Sequence, residues 1–383
     1  MRRIKLREKI IRALRAQGFS LKNRSVSPKR MSKRSYKFVQ QKACLAQIRK
    51  HKNFLSEEFE KVRIYFRNGS EISPSQIKLK LVEVKPNSLE ERIYRWWNIA
   101  WWSVPYQNSY GRQMRFLLWD EFHNAPFGLI GLTSPTLKMA PRDKYLGIEY
   151  QGIQKDNLDY WINMSLNAQR IGALPPYNEL LGGKMVALSL ISKEIREAYS
   201  KKYKNAISII EKRKLPANLL FITTTGAFGK SSIYNRLKYN GSFAAEFIGY
   251  TQGSGTFHIN DELYGEIINY LKRCKIDVSR EYGDGPSKRM KLLSTAFCKL
   301  RIANFHYHGI PRSIYLFSHV SNLKDVISSE KRPRWLSYGF EELSDFWKKR
   351  WCLPRSERNP SWRFFSAKKF EKEVSAKIGV KNG

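Results

Sequence analysis

Between about residues 112 and 320 the chain alternates short apolar runs with helix-length amphipathic stretches, and this alternation restricts it to an α/β architecture. QMRFLLWD (113–120), FGLIGLTSP (127–135), KYLGIEY (144–150) and WINMSLNAQRIG (161–172) read as strands. ELLGGKMVALSLISKEIREAYSKKY (179–203) has the length and 3.6-residue period of a helix. NLLFITTT (218–225) follows as a buried strand, and SFAAEFIGY and TFHI flank a Gly/Ser turn. DELYGEIINYLKRC (261–274) is helical, and IPRSIYLFSHV (310–320) ends the strand set. The expectation is an α/β (α+β) chain with a mixed sheet in a central domain, 91–325. An apolar content of 42% with 13% aromatics excludes a disordered or collagen-like chain.

Charge separates the two ends from this centre. The chain holds 70 Lys and Arg against 33 Asp and Glu, a formal charge of +37. The first 50 residues carry 17 Lys/Arg and one acid, Glu8. Ile4, Leu6, Ile10, Ile11 and Leu14 approximate helical spacing, with Gly18 as a stop. Residues 20–37, broken by Pro28, read as an extended basic linker, 38–66 as helical and 73–86 as a strand after a turn. Residues 1–90 are thus expected to form a basic, mostly helical module with little core of its own. Residues 326–383 are expected to form a basic aromatic tail: KRPRWLSYGF, DFWKKRWCLPR, SWRFF.

Such a surplus of cations faces phosphate, on a nucleic acid or an anionic membrane. No run approaches the ~18 apolar residues of a membrane span; the expected partner is nucleic acid, DNA ahead of RNA, and not a membrane. The expected phosphate contacts are Arg2, Arg3, Lys5, Lys29, Arg30, Lys33, Arg34 and Lys37 in the arm. Arg112 and Arg115 join them from RWWNIAWWSVPYQNSYGRQMRF (95–116), where aromatic faces and guanidinium groups alternate as on a base-stacking surface. Trp96, Trp97, Trp101 and Trp102 fall at helical intervals, so core packing, base contact and a partner interface all remain open for them. Cys44, Cys274, Cys298 and Cys352 form no CxxC pair and read as free, buried, reduced thiols of a cytoplasmic protein.

GAFGKSS (226–232) resembles a phosphate loop but has Thr224 where GxxxxGK[ST] needs glycine. It keeps only a weak case for an anion site at a helix N-terminus. None of HExxH, CxxC or DxD accompanies the six histidines, so no metal site is expected, and no cofactor. There is no GxSxG elbow. GSGTFH (253–258), YGDGPS (282–287) and HGI place His258, Asp284 and His308 beside glycines, where a ligand backbone can come close. These three are the candidate acid, base or ligand groups, against the ordinary uses of such residues in turns and cores.

WSVPYQNSYGRQMRFLLWD, GLIGL, RDKYLGI, RIGALPPYNELLGGKMVAL, LFITTTGAFGKSSIYNRLK, YTQGSGTFH, YGDGPSKRMK and HGIPRSIYLFSHVSN occur in that order. Together they make the chain similar to the DruA family of the Druantia anti-phage defence systems, from about residue 1 to 350. The resemblance implies a bacterial cytoplasmic subunit working beside a large helicase-like partner and other Druantia subunits. It supplies no catalytic residue to carry over. The element order also resembles a GNAT-type acyltransferase: antiparallel strands, a glycine-bearing loop, a long helix, then a further strand. In that fold the loop binds the pyrophosphate of a CoA-like ligand. Here QRIGALPPYNELLGG (169–183) departs from the pattern, because Pro175 and Pro176 lack N–H groups. The reading is a nucleic-acid-binding component of a defence complex. The alternatives are an enzyme on a GNAT-like domain, performing acyl transfer or phosphodiester cleavage, and a structural scaffold subunit.

Overall fold

The computed structural model describes residues 3–28, 33–105, 111–148, 161–208, 212–279, 288–329 and 331–378. Its contacts divide the chain into two units that are not contiguous in sequence. Met1–Ala43 groups with Thr251–Arg312, and Cys44–Tyr250 groups with Ser313–Gly383. The boundaries expected at 90/91 and 325/326 do not coincide with this division.

In the first unit, the N-terminal helix Arg3–Ala16 turns Leu6, Ile10 and Leu14 inward, all buried, while Ile4 is left exposed. Their partners come from the far end of the sequence: Leu263, Ile267 and Leu271 of helix Asp261–Arg273, and Leu293, Ala296 and Phe297 of helix Lys288–Lys299. Asn260 caps the first of these helices by accepting from the Leu263 N–H. Residues 19–28 form a hairpin of β1 (Phe19–Lys22) and β2 (Ser25–Pro28), not the extended linker expected from their polarity. Asn23 and Arg24 both have positive φ (48° and 64°), the backbone of a two-residue primed turn. Phe19 and Val26 join the core of this unit, and Ala303 extends the hairpin through two backbone hydrogen bonds, with Arg24 and Val26.

The second unit is built on a seven-stranded mixed sheet. The strands are β3 (Leu79–Glu83), β4 (Gln113–Asp120), β5 (Ala125–Thr133), β6 (Ser165–Ala173), β7 (Phe221–Thr225), β10 (Glu246–Tyr250) and β11 (Ser313–Ser318). A small hairpin, β8 (Lys238–Tyr239) and β9 (Ser242–Phe243), stands apart from it. The sheet order is β10-β11-β7-β6-β5-β4-β3. Every neighbouring pair is antiparallel except β6 and β7, which run parallel across a helical crossover. Central strand β5 is buried along its whole length, so both sheet faces are covered. Phe116, Leu118, Phe127 and Ile130 pack under helices Gly182–Leu188 and Phe340–Trp347. Leu117 and Leu129 point the other way, to Trp96, Trp97, Phe370 and Val374 from helices Leu89–Ala100 and Ala367–Ile378.

Three local expectations are corrected. The described part of KYLGIEY lies in and just after helix Ala140–Leu146 and not in a strand. Pro141 sits in the helix's first turn, Asp143 accepts from the Met139 N–H, and Gly147 closes the helix at φ 71°. The long helix expected over 179–203 is two helices, Gly182–Leu188 and Lys193–Tyr203, because Ser192 turns extended and caps the second. The C-terminal segment is no tail: Trp347, Cys352, Trp362, Phe370 and Val374 are all core residues. The four cysteines are free, though only Cys352 is buried. No helix among the described residues is long and apolar enough to cross a membrane.

Candidate nucleic-acid interface

The first unit concentrates the charge. It holds 25 Lys/Arg against 7 Asp/Glu, where the much larger second unit holds 45 against 26. At 100° per residue, Lys5, Lys9 and Arg12 form a stripe on the N-terminal helix opposite Leu6, Ile10 and Leu14. Lys9 is paired with Glu262 and Glu266. Lys5, Arg12, Arg15, Lys22, Arg24 and Arg34 are exposed and make no ion pair among the described residues. Lys37 is also exposed. Arg3 and Lys33 are the first residues of helices Arg3–Ala16 and Lys33–Lys50. Arg2, Lys29 and Arg30 lie outside the described residues.

Arg112 and Arg115, in the second unit, are engaged within the fold. Arg112 donates to the Asn163 carbonyl and the Tyr199 hydroxyl, and its guanidinium lies 5.0 Å from the Tyr203 ring centre. Arg115 donates to Glu91 Oε1 at 3.2 Å. Trp96 and Trp97 are core residues: the Trp96 indole N–H donates to the Leu55 carbonyl, and Trp97 stacks on Phe370 at 5.3 Å.

Of the candidate chemical groups, the first unit brings two together. His258 and His308 are both buried, on either side of Phe257, whose ring centre is 4.8 Å from that of His308. Burial pushes His258 down to about 4; its hydrogen bond to Phe305 opposes this, and His308, Arg289 and His306 reinforce it. Burial likewise brings His308 to about 4, against a backbone hydrogen bond with Ser254 and with help from Arg312. Both rings are therefore neutral at pH 7. The neutral His258 Nε2–H donates to the Phe305 carbonyl at 2.6 Å. His308 Nδ1 accepts from the Ile310 N–H at 3.2 Å. The pair ties the loop around Gly253 to the loop before β11. Asp284 lies outside the described residues.

The phosphate-loop-like GAFGKSS is followed by turns up to β8 and not by a helix, so the helix N-terminus it would need is missing there. In the loop after β6 four of the remaining amides are already used. The N–H groups of Asn178, Glu179, Leu180 and Gly182 donate to the carbonyls of Leu174, Pro176, Tyr177 and Tyr177. A Cβ on Gly182 would stand 2.7 Å from the Tyr177 carbonyl oxygen, so the loop closes on itself.

Sequence reasoning misses one buried polar network. Asp120, fully buried at the end of β4, accepts from His123 Nδ1 at 2.6 Å, the Tyr177 hydroxyl at 2.8 Å and the Lys78 N–H at 3.1 Å. His123 Nε2 in turn accepts from the Ser73 N–H at 2.9 Å. Both ring nitrogens are engaged, which makes the network a tie between β4, the loop after it and the β6 loop. Burial, with the neighbouring Asp120 carboxylate, raises the Tyr177 hydroxyl far above its ordinary value. Only the D-x-x-H spacing signals this network in the sequence. Among the described residues no group of three or more His, Cys, Asp or Glu is placed to hold a metal ion.

These features define a mixed α/β protein with a cation-dense smaller unit. The family model of the Druantia protein DruA matches residues 30–329. The chain is 32% identical over 378 residues to the Druantia protein DruA of Escherichia coli strain UMEA 4076-1, covering 96% of this chain and 91% of that protein. The chain belongs to the DruA family, whose members are components of Druantia anti-phage defence systems. No solved structure matches it.

Proposed function

We propose that this chain is the nucleic-acid-binding component of a Druantia anti-phage defence system. It acts in the cytoplasm beside other Druantia subunits, a large helicase-like protein among them. The supporting observation is the density of exposed cations on the first unit that pair with no acid among the described residues: Lys5, Arg12, Arg15, Lys22, Arg24 and Arg34. Duplex DNA carries one charge per ~1.7 Å of axis, and each phosphate neutralised by Lys or Arg releases condensed counterions. Such contacts position a protein on the polymer without reading sequence.

The test is a salt titration of the full chain on duplex DNA and on duplex RNA. Deleting the arm would remove Leu6, Ile10 and Leu14 from the core, so charge substitution is the cleaner perturbation. The variant Lys5→Gln, Arg12→Gln, Arg15→Gln, Arg34→Gln should bind DNA more weakly at low salt. Its log K against log[salt] slope should be shallower by about 0.9 for each phosphate that is no longer neutralised. Unchanged affinity and slope would remove the first unit from the interface.

The sheet order favours a second reading of the frame, as a GNAT-like domain. Antiparallel β3 to β6 lead through the Gly182 loop and two helices to β7, parallel to β6, which is the order that reading expects. The bonded amides of Asn178, Glu179, Leu180 and Gly182, with the two prolines before them, argue against a working pyrophosphate loop on such a frame. Fold analogy by itself does not bring acyl transfer with it.

A further inference from the structure

Resting on the nucleic-acid reading, we infer that the second unit holds a pocket for one unpaired base, centred on Trp335 and Arg196. The pocket, about 280 Å³, is lined by Arg196, Glu197, Ser200, Asn218 and Trp335. Among the described residues Trp335 is the one tryptophan in the set of large exposed apolar side chains, 39% accessible, and the Arg196 guanidinium lies 4.9 Å from its ring centre.

The platform is rigidly built. Trp335 bridges Val320 in antiparallel fashion, and the Leu336 N–H donates to the His319 carbonyl at 2.8 Å. Asn322 holds the preceding residues from both sides, its Nδ2 donating to the Arg332 carbonyl and its Oδ1 accepting from the Arg334 N–H. Arg196 is fixed in turn by donating to the Leu336 carbonyl at 2.8 Å. The guanidinium covers one face of the indole, and a base stacks on the part of the ring that stays accessible.

Charge decides which part of a nucleotide goes in. Glu197 in the pocket wall offsets the Arg196 charge that would draw in a phosphate, and its carboxylate accepts from an N–H on the edge of a base, such as thymine N3–H. The Asn218 amide both donates and accepts. Arg332 and Arg334 are exposed on the strand of chain leading to Trp335, placed for the phosphates that flank the stacked base. A duplex keeps its bases stacked and paired, so this pocket takes single-stranded or flipped nucleotides.

Fluorescence anisotropy of the full chain on labelled oligothymidylate, an abasic strand of equal length and a blunt duplex tests this. Trp335→Ala should weaken the oligothymidylate complex about ten- to hundredfold, the effect of one aromatic–base stack, with little change on the duplex. Trp335→Phe should recover most of the affinity. Wild type on the abasic strand should bind like Trp335→Ala on oligothymidylate, and the salt slope should stay the same, because stacking releases no counterions. Equal weakening on strand and duplex, or none on the strand, would overturn the pocket while leaving the phosphate surface standing. A wild-type chain that binds no nucleic acid at all would overturn both.

Discussion

Acidification should unfold the first unit before the second, and the histidines give the size of the effect. A histidine free in an unfolded chain titrates near 6.5; His258 and His308 are held at about 4. Between those values the unfolded chain binds more protons than the folded one. The stability tied to the neutral rings is therefore fully present above pH 6.5 and is lost as pH falls toward 4. Going from pH 8 to pH 5 removes about 2 kcal/mol per ring, so about 4 kcal/mol for the pair. That is most of the lower end of the 5–15 kcal/mol by which domains are typically stable. His319, buried in the second unit and brought to about 3 by burial with Arg196 nearby, removes only about 2 kcal/mol there. All ten tryptophans lie in the second unit, so their fluorescence does not see the first. Far-UV circular dichroism and hydrogen exchange of helices Asp261–Arg273 and Lys288–Lys299 should report unfolding near pH 5, with tryptophan emission unchanged until lower pH. In His258→Gln, His308→Gln the first unit should be weaker at pH 8 but nearly flat from pH 8 to 5. Coincident unfolding by all probes, or full exchange protection of the first unit at pH 5, would refute the argument.

Acetyl-CoA should give no heat of binding at micromolar concentration in calorimetry, since Pro175 and Pro176 have no N–H and those of Asn178, Glu179, Leu180 and Gly182 are already bonded within the loop; measurable affinity would return the acyltransferase reading to the front. Asp120→Ala should cost the second unit at least about 3 kcal/mol, because it strands His123 Nδ1–H, the Tyr177 hydroxyl and the Lys78 N–H. Urea unfolding followed by tryptophan emission measures this, and a change below about 1 kcal/mol would show the network to be dispensable.

The strands of the sheet are legible wherever one short apolar run sits between turn signals, as at 113–120 and 218–225. The departures have identifiable causes. In KYLGIEY the alternation of apolar residues suggests a strand, but Pro141, Asp143 and Gly147 are start and stop signals for a helix and they prevail. The β1–β2 hairpin is hidden because its turn is Asn23-Arg24; a glycine in the second position would announce it. Leu6, Ile10 and Leu14 show a helix face in the sequence and form one in the fold, yet nothing local says that their partners begin at Ile259. The same non-local blindness makes Trp347, Trp362 and Phe370 look like a tail.

The candidate interface shows the limit of composition more sharply. Arginine beside an aromatic residue reads alike whether the pair faces inward or outward. Arg112 resembles a phosphate contact because tryptophans and tyrosines precede it, but Tyr199 and Tyr203, 87 and 91 positions later, enclose its guanidinium. KRPRWLSYGF carries the same composition, and there Pro333 and the pairing of residues 332–336 with 319–322 leave the indole half open to solvent. What distinguishes the two is where the side chain goes: the Arg112 guanidinium is bonded inside the fold, whereas the Trp335 indole stays accessible. Trp335 is held in place by the backbone bonds of Ser321 and Leu336 and by Asn322, while the side chains of Arg332 and Arg334 stay exposed; removing Arg332 and Arg334 should therefore weaken every nucleic acid alike, while removing the indole should weaken only those with a base to stack.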